Sequence, residues 1–157
     1  KSRIIPDCIR AWAESRKVEI RNPHATRPWQ HVLEPLSGYL MLCQQLVKHP
    51  IDFAGGWNFG PNDEGVQPVS VVADIMVDSW GDGAEWSLDD GAHPHEAMFL
   101  KLDCSKAKIQ LKWNPIWNLE RSLDETVLWY KAWGNQVDMD EFTLSQIETY
   151  HKENLAQ

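Results

Sequence analysis

Residues 21–40, RNPHATRPWQHVLEPLSGYL, gather two arginines, two histidines, three prolines and a tryptophan just before an amphipathic helix. That helix begins at Glu34: Leu36, Tyr39, Leu40, Cys43, Leu46 and Val47 recur on one face, with Pro35 near the start and Pro50 past the end. On the other side of the segment, Val18-Glu19-Ile20 alternates apolar and polar residues between charged neighbours, the pattern of a short half-buried strand. A strand, a proline-shaped elbow and a helix therefore follow one another. The elbow concentrates basic and aromatic groups where the strand ends.

Such a segment is conspicuous because the chain is acidic: 15 Lys and Arg stand against 23 Asp and Glu in 157 residues, a net charge of −8. Binding to nucleic acid or a membrane surface needs a basic face, so both are excluded as general partners, and any anionic ligand must be held by a few placed arginines. With 43% hydrophobic residues the chain suits a single globular domain. It shows neither a long apolar run nor a secretory signal, and a cytoplasmic location is expected. Cys8, Cys43 and Cys104 are odd in number and embedded in apolar stretches, so they read as buried thiols. Nine tryptophans suggest extensive aromatic packing, with stacking on a base or sugar as the other use of such rings.

Further from the elbow, Ile5, Cys8, Ile9, Trp12 and Ala13 predict a helix from about Pro6 to Ser15. Trp57-Asn58-Phe59 reads as a strand ahead of the turn Gly60-Pro61-Asn62-Asp63. Ser70 is expected to cap a helix carrying Val71, Val72, Ile75 and Met76 that stops near Gly81. Strands are expected at Ala84 to Leu88 and Met98 to Asp103, separated by the polar loop from Asp89 to Glu96. Asp103 or Ser105 can cap a short helix to Leu111, and Asn118 opens a longer one with Leu119, Leu123, Thr126, Val127 and Tyr130 on one face. Thr143-Leu144-Ser145-Gln146 fits a capping box at the head of a last helix reaching about Lys152. The pattern is mixed α/β without internal repeats.

From Asp103 the chain reads D-C-S-K-A, then Leu111-Lys-Trp-Asn-Pro, Leu119-Glu-Arg-Ser-Leu and Thr126-Val-Leu-Trp-Tyr. This resembles the C-terminal signature of extended short-chain dehydrogenase/reductases that act on nucleotide sugars. More narrowly, the segments beginning Arg3-Ile-Ile-Pro-Asp and Ile20-Arg-Asn-Pro-His, together with Trp57-Asn-Phe-Gly-Pro and His93-Pro-His-Glu-Ala, are similar to the CDP-glucose 4,6-dehydratases. The likeness runs from about Arg3 to Tyr150, and the Ala25 to Leu40 block is its most specific part. It implies an α/β fold: the C-terminal portion of a Rossmann-type NAD(P)-binding superfamily member, a small mixed substrate-binding domain plus a strand and helix that complete the Rossmann half. It also implies a lyase with tightly held NAD. Such an enzyme oxidises C4 of glucose, eliminates water across C5 and C6 and returns the hydride to C6, on a route to the dideoxysugars of O-antigen lipopolysaccharide.

Two hallmarks of that superfamily are missing. No G-x-G-x-x-G or G-x-x-G-x-x-G turn occurs, and Tyr39, Tyr130 and Tyr150 are followed four residues on by Cys43, Gly134 and Asn154 rather than lysine. The expectation is therefore a substrate-binding part spanning residues 1–157, with no catalytic residue and no NAD site of its own. Its natural partners would be a nucleotide sugar and an NAD-binding Rossmann half absent from this chain, in a full-length form that is a homo-oligomer.

The resemblance implies substrate roles for Arg27, whose planar fork suits a diphosphate, and for Arg3, beside base and phosphates. It implies a further role for His93 and His95, in a loop that closes over the diphosphate; Arg21, His24 and Asn22 either reach ligand or shape the turn. His-x-His supplies two metal ligands at most, so no metal site is expected. Two alternatives stand beside this reading. One is a sibling nucleotide-sugar epimerase or dehydratase selecting another base; the other is a carbohydrate-binding module built on the tryptophans.

Overall fold

A computed structural model describes residues 3–91 and 97–156. His93 and His95 lie outside the described residues.

Helix α1 (Ile4–Ala13) buries Cys8, Ile9, Ala11 and Trp12. It starts two residues before Pro6, which still lies in the first turn where its missing N–H breaks no helical bond. It also ends before the predicted Ser15, because that residue turns to φ 53° and its N–H closes the helix end on the Trp12 carbonyl. Strand β1 (Val18–Ile20) forms as read, pairing in parallel with β4 (Trp86–Leu88).

The elbow contains a strand that alternation did not reveal. Thr26–Pro28 (β2) pairs antiparallel with Val66–Pro68 (β3), Arg27 opposite Gln67. A proline in each strand hid the pattern, and both are tolerated because the ladder is only three residues long. Helix α3 (Val69–Trp80) follows β3 directly. Ser70 is not its cap: the N–H groups of Val69 and Ser70 donate to the carbonyls of Ala25 and Pro23, so elbow backbone satisfies the helix start. Gly81, at φ 66°, ends the helix as expected.

α1, β1, α3 and α4 (Leu119–Gly134) enclose the main core, which includes Cys8, Trp12, Ile20, Val72, Met76, Leu123 and Val127. The Asn118 side chain caps α4 by accepting from Arg121 N–H. The last helix, α5 (Met139–Leu155), begins four residues ahead of the supposed capping box and is capped instead by Asp138, which accepts from Asp140 and Glu141 N–H.

A smaller cluster holds Phe59, Cys104, Ala107, Leu111 and Trp113. The short helix there contains a π turn, Ala107–Leu111, with Asp103 accepting from Ser105 N–H at its head. Residues 57–59 form no ladder with the described residues, against expectation; they are tied through side chains, Asn58 to the Asp103 carbonyl and Gln30 to the Phe59 carbonyl. The predicted strand from Met98 likewise reduces to one bridge, Phe99 to Thr26.

Helix α2 (Leu33–Lys48) presents its predicted apolar face to solvent. Leu36 is 44% exposed, Leu40 67% and Val47 85%. What it buries is Glu34 and Gly38, the latter so close under the Phe59 ring that any Cβ would overlap it. Cys43 is exposed for the same reason, correcting its reading as a buried thiol; Cys8 and Cys104 are buried.

Candidate anion-binding cleft

The end of β1, the elbow and the starts of α1 and α3 surround a cleft of about 190 Å³. Arg21, Asn22 and Arg27 line it together with Trp29 and Ile4. The elbow is held rigidly. Ala25 N–H closes a turn on the Asn22 carbonyl, Trp29 N–H donates to Gly65, and the Trp29 indole donates to the Gln67 carbonyl at 2.9 Å. Trp29 thus ties the end of β2 to β3, with its ring against the main core.

Arg27 is half-buried, and its Nη1 donates to the Thr26 carbonyl at 2.8 Å. Its other guanidinium donors have no partner among the described residues, so they remain available to an acceptor in the cleft. It stands in the middle of its own strand, not at the end of the preceding one as the sequence suggested. Arg21 is exposed at the rim. Arg3 is exposed at the N-cap of α1, adjacent to Ile4 but not itself lining the cleft. His24 is exposed in the turn.

Two acidic residues went unnoticed in sequence, Asp7 and Glu19, which also line the cleft. The alternation of β1 was the available signal, since Glu19 must point away from the core that takes Val18 and Ile20. Asp7 is ion-paired to Arg10, which offsets much of its repulsion toward an anion. The segments flanking the polar loop are anchored on the end of β1 and on the elbow: Asp89 N–H donates to the Ile20 carbonyl, and Thr26 N–H to that of Met98. Among the described residues no group of three or more His, Cys, Asp or Glu could hold a metal, and no helix is long and apolar enough to cross a membrane.

At its far end the elbow becomes scaffold. Glu34 is fully buried and accepts from Ile116 and Trp117 N–H and from the Tyr150 hydroxyl, at 2.7–3.1 Å. Burial outweighs those bonds and pushes its carboxyl above the ordinary value; burial likewise raises the Tyr150 phenol. His31, 7% exposed against the Trp117 ring, is lowered to about 4 by burial and is neutral at pH 7. Nothing in the local pattern distinguished Glu34 from a surface residue of a first helical turn.

The tryptophans act mainly as structural braces. Seven of the nine indole N–H groups, those of Trp12, Trp29, Trp57, Trp86, Trp113, Trp117 and Trp129, donate within the protein, and Trp133 is 60% exposed.

No family model matches the chain. Over 139 residues, 88% of its length, it is 52% identical to CDP-glucose 4,6-dehydratase of Salmonella typhimurium, and the match spans 39% of that relative. Its backbone superposes on dTDP-glucose 4,6-dehydratase of Bacillus anthracis, solved with NAD, with a TM-score of 0.65 at 21% identity, covering 86% of this chain and 41% of the other. On UDP-N-acetylglucosamine 4-epimerase of Bacillus cereus the TM-score is 0.61 at 18% identity, covering 83% and 44%. The backbone fold is thus shared with part of each of these solved structures, in line with the mixed α/β fold that the resemblance implies.

Proposed function

We propose that this chain forms the nucleotide-sugar-holding part of a CDP-glucose 4,6-dehydratase, with Arg27 on the substrate diphosphate. The observation that carries the reading is Arg27 itself: a guanidinium tethered by one bond to Thr26, its remaining donors unspent, beside Arg21 in a braced cleft. Planar guanidinium donors match phosphate oxygens, and a fixed side chain loses little freedom on binding. His93, His95 and Arg3 would complete the contacts from the cleft's margins.

The residues of this chain do not fit NAD. Among the described residues the five α-helices start after Arg3, Val32, Pro68, Asn118 and Asp138, none in a glycine-rich turn that would bring backbone amides to a pyrophosphate. Oxidation, elimination and hydride return would therefore be carried by a portion beyond this chain, and residues 1–157 alone would be inactive. The uncovered stripe of α2, including Leu36, Leu40 and Val47, is where that NAD-binding half would pack. The complete enzyme would be a cytoplasmic homo-oligomer serving O-antigen synthesis.

Titration calorimetry tests the reading. CDP-glucose is expected to bind, Arg27→Ala to weaken it roughly 10- to 100-fold through loss of charge-assisted bonds, and free glucose to show no affinity. Tighter binding of dTDP-glucose would favour a sibling enzyme instead. Binding to glycans without a diphosphate would favour a carbohydrate-binding module.

A further inference from the structure

A second pocket, of about 300 Å³, opens between α4, α5 and residues 31–33 and shares no residue with the cleft. Its walls include Val32, Trp129, Tyr130 and Ile147, and the Trp129 indole N–H is already given to Thr143, so that side chain offers ring surface. Besides the hydroxyls of Thr126, Thr143 and Tyr130, two polar side chains line it that are more than nine-tenths buried. His31 is 7% exposed; its Nδ1 accepts from Leu33 N–H, which leaves the proton of the neutral ring on Nε2, and Nε2 has no partner among the described residues. Gln146 is 6% exposed; its Nε2 donates to the Glu125 carbonyl and carboxylate, which leaves Oε1 without a donor.

A largely apolar recess whose deeply buried side chains offer one unspent donor and one unspent acceptor has the ordinary composition of a small-molecule site, and its size falls at the lower end for such sites. No charged side chain lines it, so an ionised ligand would be desolvated without a counter-ion. We propose that this pocket binds a neutral planar heterocycle of the cyclic-amide class, whose carbonyl accepts from His31 Nε2–H and whose N–H donates to Gln146 Oε1, with one face against Trp129 and its edge toward Tyr130, whose ring stands at 83° to that of Trp129. The site is independent of the cleft and of the function assigned to it.

The probe is 2-quinolone, which carries both groups on a flat two-ring frame, followed by proton–nitrogen NMR of the 157-residue chain. Saturable shifts at the Trp129 indole and the His31 ring are expected, and N-methyl-2-quinolone, which cannot donate, should bind at least about tenfold more weakly. Ile147→Trp, which fills the pocket from a partly exposed position, should abolish the shifts. Should its melt show a folding defect, Val32→Trp on the exposed rim serves the same purpose. Absence of saturation, equal affinity for the N-methyl compound, unchanged binding in the filled variants, or shifts confined to the α2 stripe would each overturn the assignment.

Discussion

Helices α2 and α4 are each 16 residues long and each carry apolar residues at helical spacing, yet they meet opposite fates. In α4 the face closes on the core, with Leu119, Leu123 and Val127 at 1–5% exposure. In α2 the equivalent stripe, including Leu36, Tyr39, Leu40 and Val47, is 44–85% exposed, while a carboxylate and a glycine are buried. Periodicity therefore says that a face is to be covered, and nothing about whether the cover belongs to the same chain. α2 is held by the polar bonds of Glu34 and Ser37, the ring of Phe59 and the packing of Met41 and Leu42 on the smaller cluster, α4 chiefly by area removed from water in the main core.

Core truncation gives the largest contrast. Leu123→Ala should cost about 2–5 kcal/mol in denaturant unfolding, through lost transfer energy and the cavity left behind, whereas Leu40→Ala on α2 should stay within about 0.5 kcal/mol. Equal losses would mean that α2 is covered after all. Next comes the bond that fastens α2 to α5: Tyr150→Phe removes the 2.7 Å hydroxyl contact to Glu34 and should cost about 2 kcal/mol.

A pH series sharpens the same junction. His31 has a folded pKa of about 4 against an ordinary 6.5, so the unfolded chain binds more protons between those values. Its contribution is full above pH 6.5 and is lost as pH falls toward 4. Relative to His31→Gln, the wild type should lose about 1 kcal/mol between pH 6.5 and 5.5. A flat difference would place His31 in contact with water. The Glu34 shift has the opposite sign, its raised carboxyl favouring the folded state as pH falls, which is why the variant comparison is needed to isolate His31.

Replacing the stripe itself should have the smallest effect on stability and the clearest on association. An uncovered stripe is expected to give the wild type concentration-dependent self-association in sedimentation velocity; Leu36→Glu with Leu40→Lys places an exposed i,i+4 pair, should abolish that association and should leave unfolding within about 0.5 kcal/mol. A wild-type chain that sediments as a monomer at all concentrations would count against the stripe as a docking face.

Most helices were legible because each carries a local signal: the Asn118 cap, the Gly81 stop, the spacing of Leu119, Leu123 and Val127. The misplacements share a cause. Thr143 and Gln146 have the form of a capping box, but their side chains are engaged by Trp129 and Glu125, so the helix starts earlier at an aspartate that caps equally well. Ser70 was displaced as a cap by elbow carbonyls, and β2 was hidden by prolines that a three-residue ladder tolerates. Arg27 was singled out in the sequence and Glu19 carried a signal in the alternation of β1, but Asp7 could not be named, because it reaches the cleft through the packing of α1 beside β1.

By itself the sequence determined the mixed α/β class, the elbow with its placed arginine, and the lack of a glycine-rich turn or a Tyr-x-x-x-Lys pair, since composition, spacing and motif are local properties of the chain. Only tertiary structure decided that Glu34 would be a buried hub, that one apolar face would close while another stayed open, and that His31 and Gln146 would line one pocket. Burial and hydrogen-bond partnership depend on which distant segments meet, and hydrophobic spacing alone carries no address for the segment that must cover it.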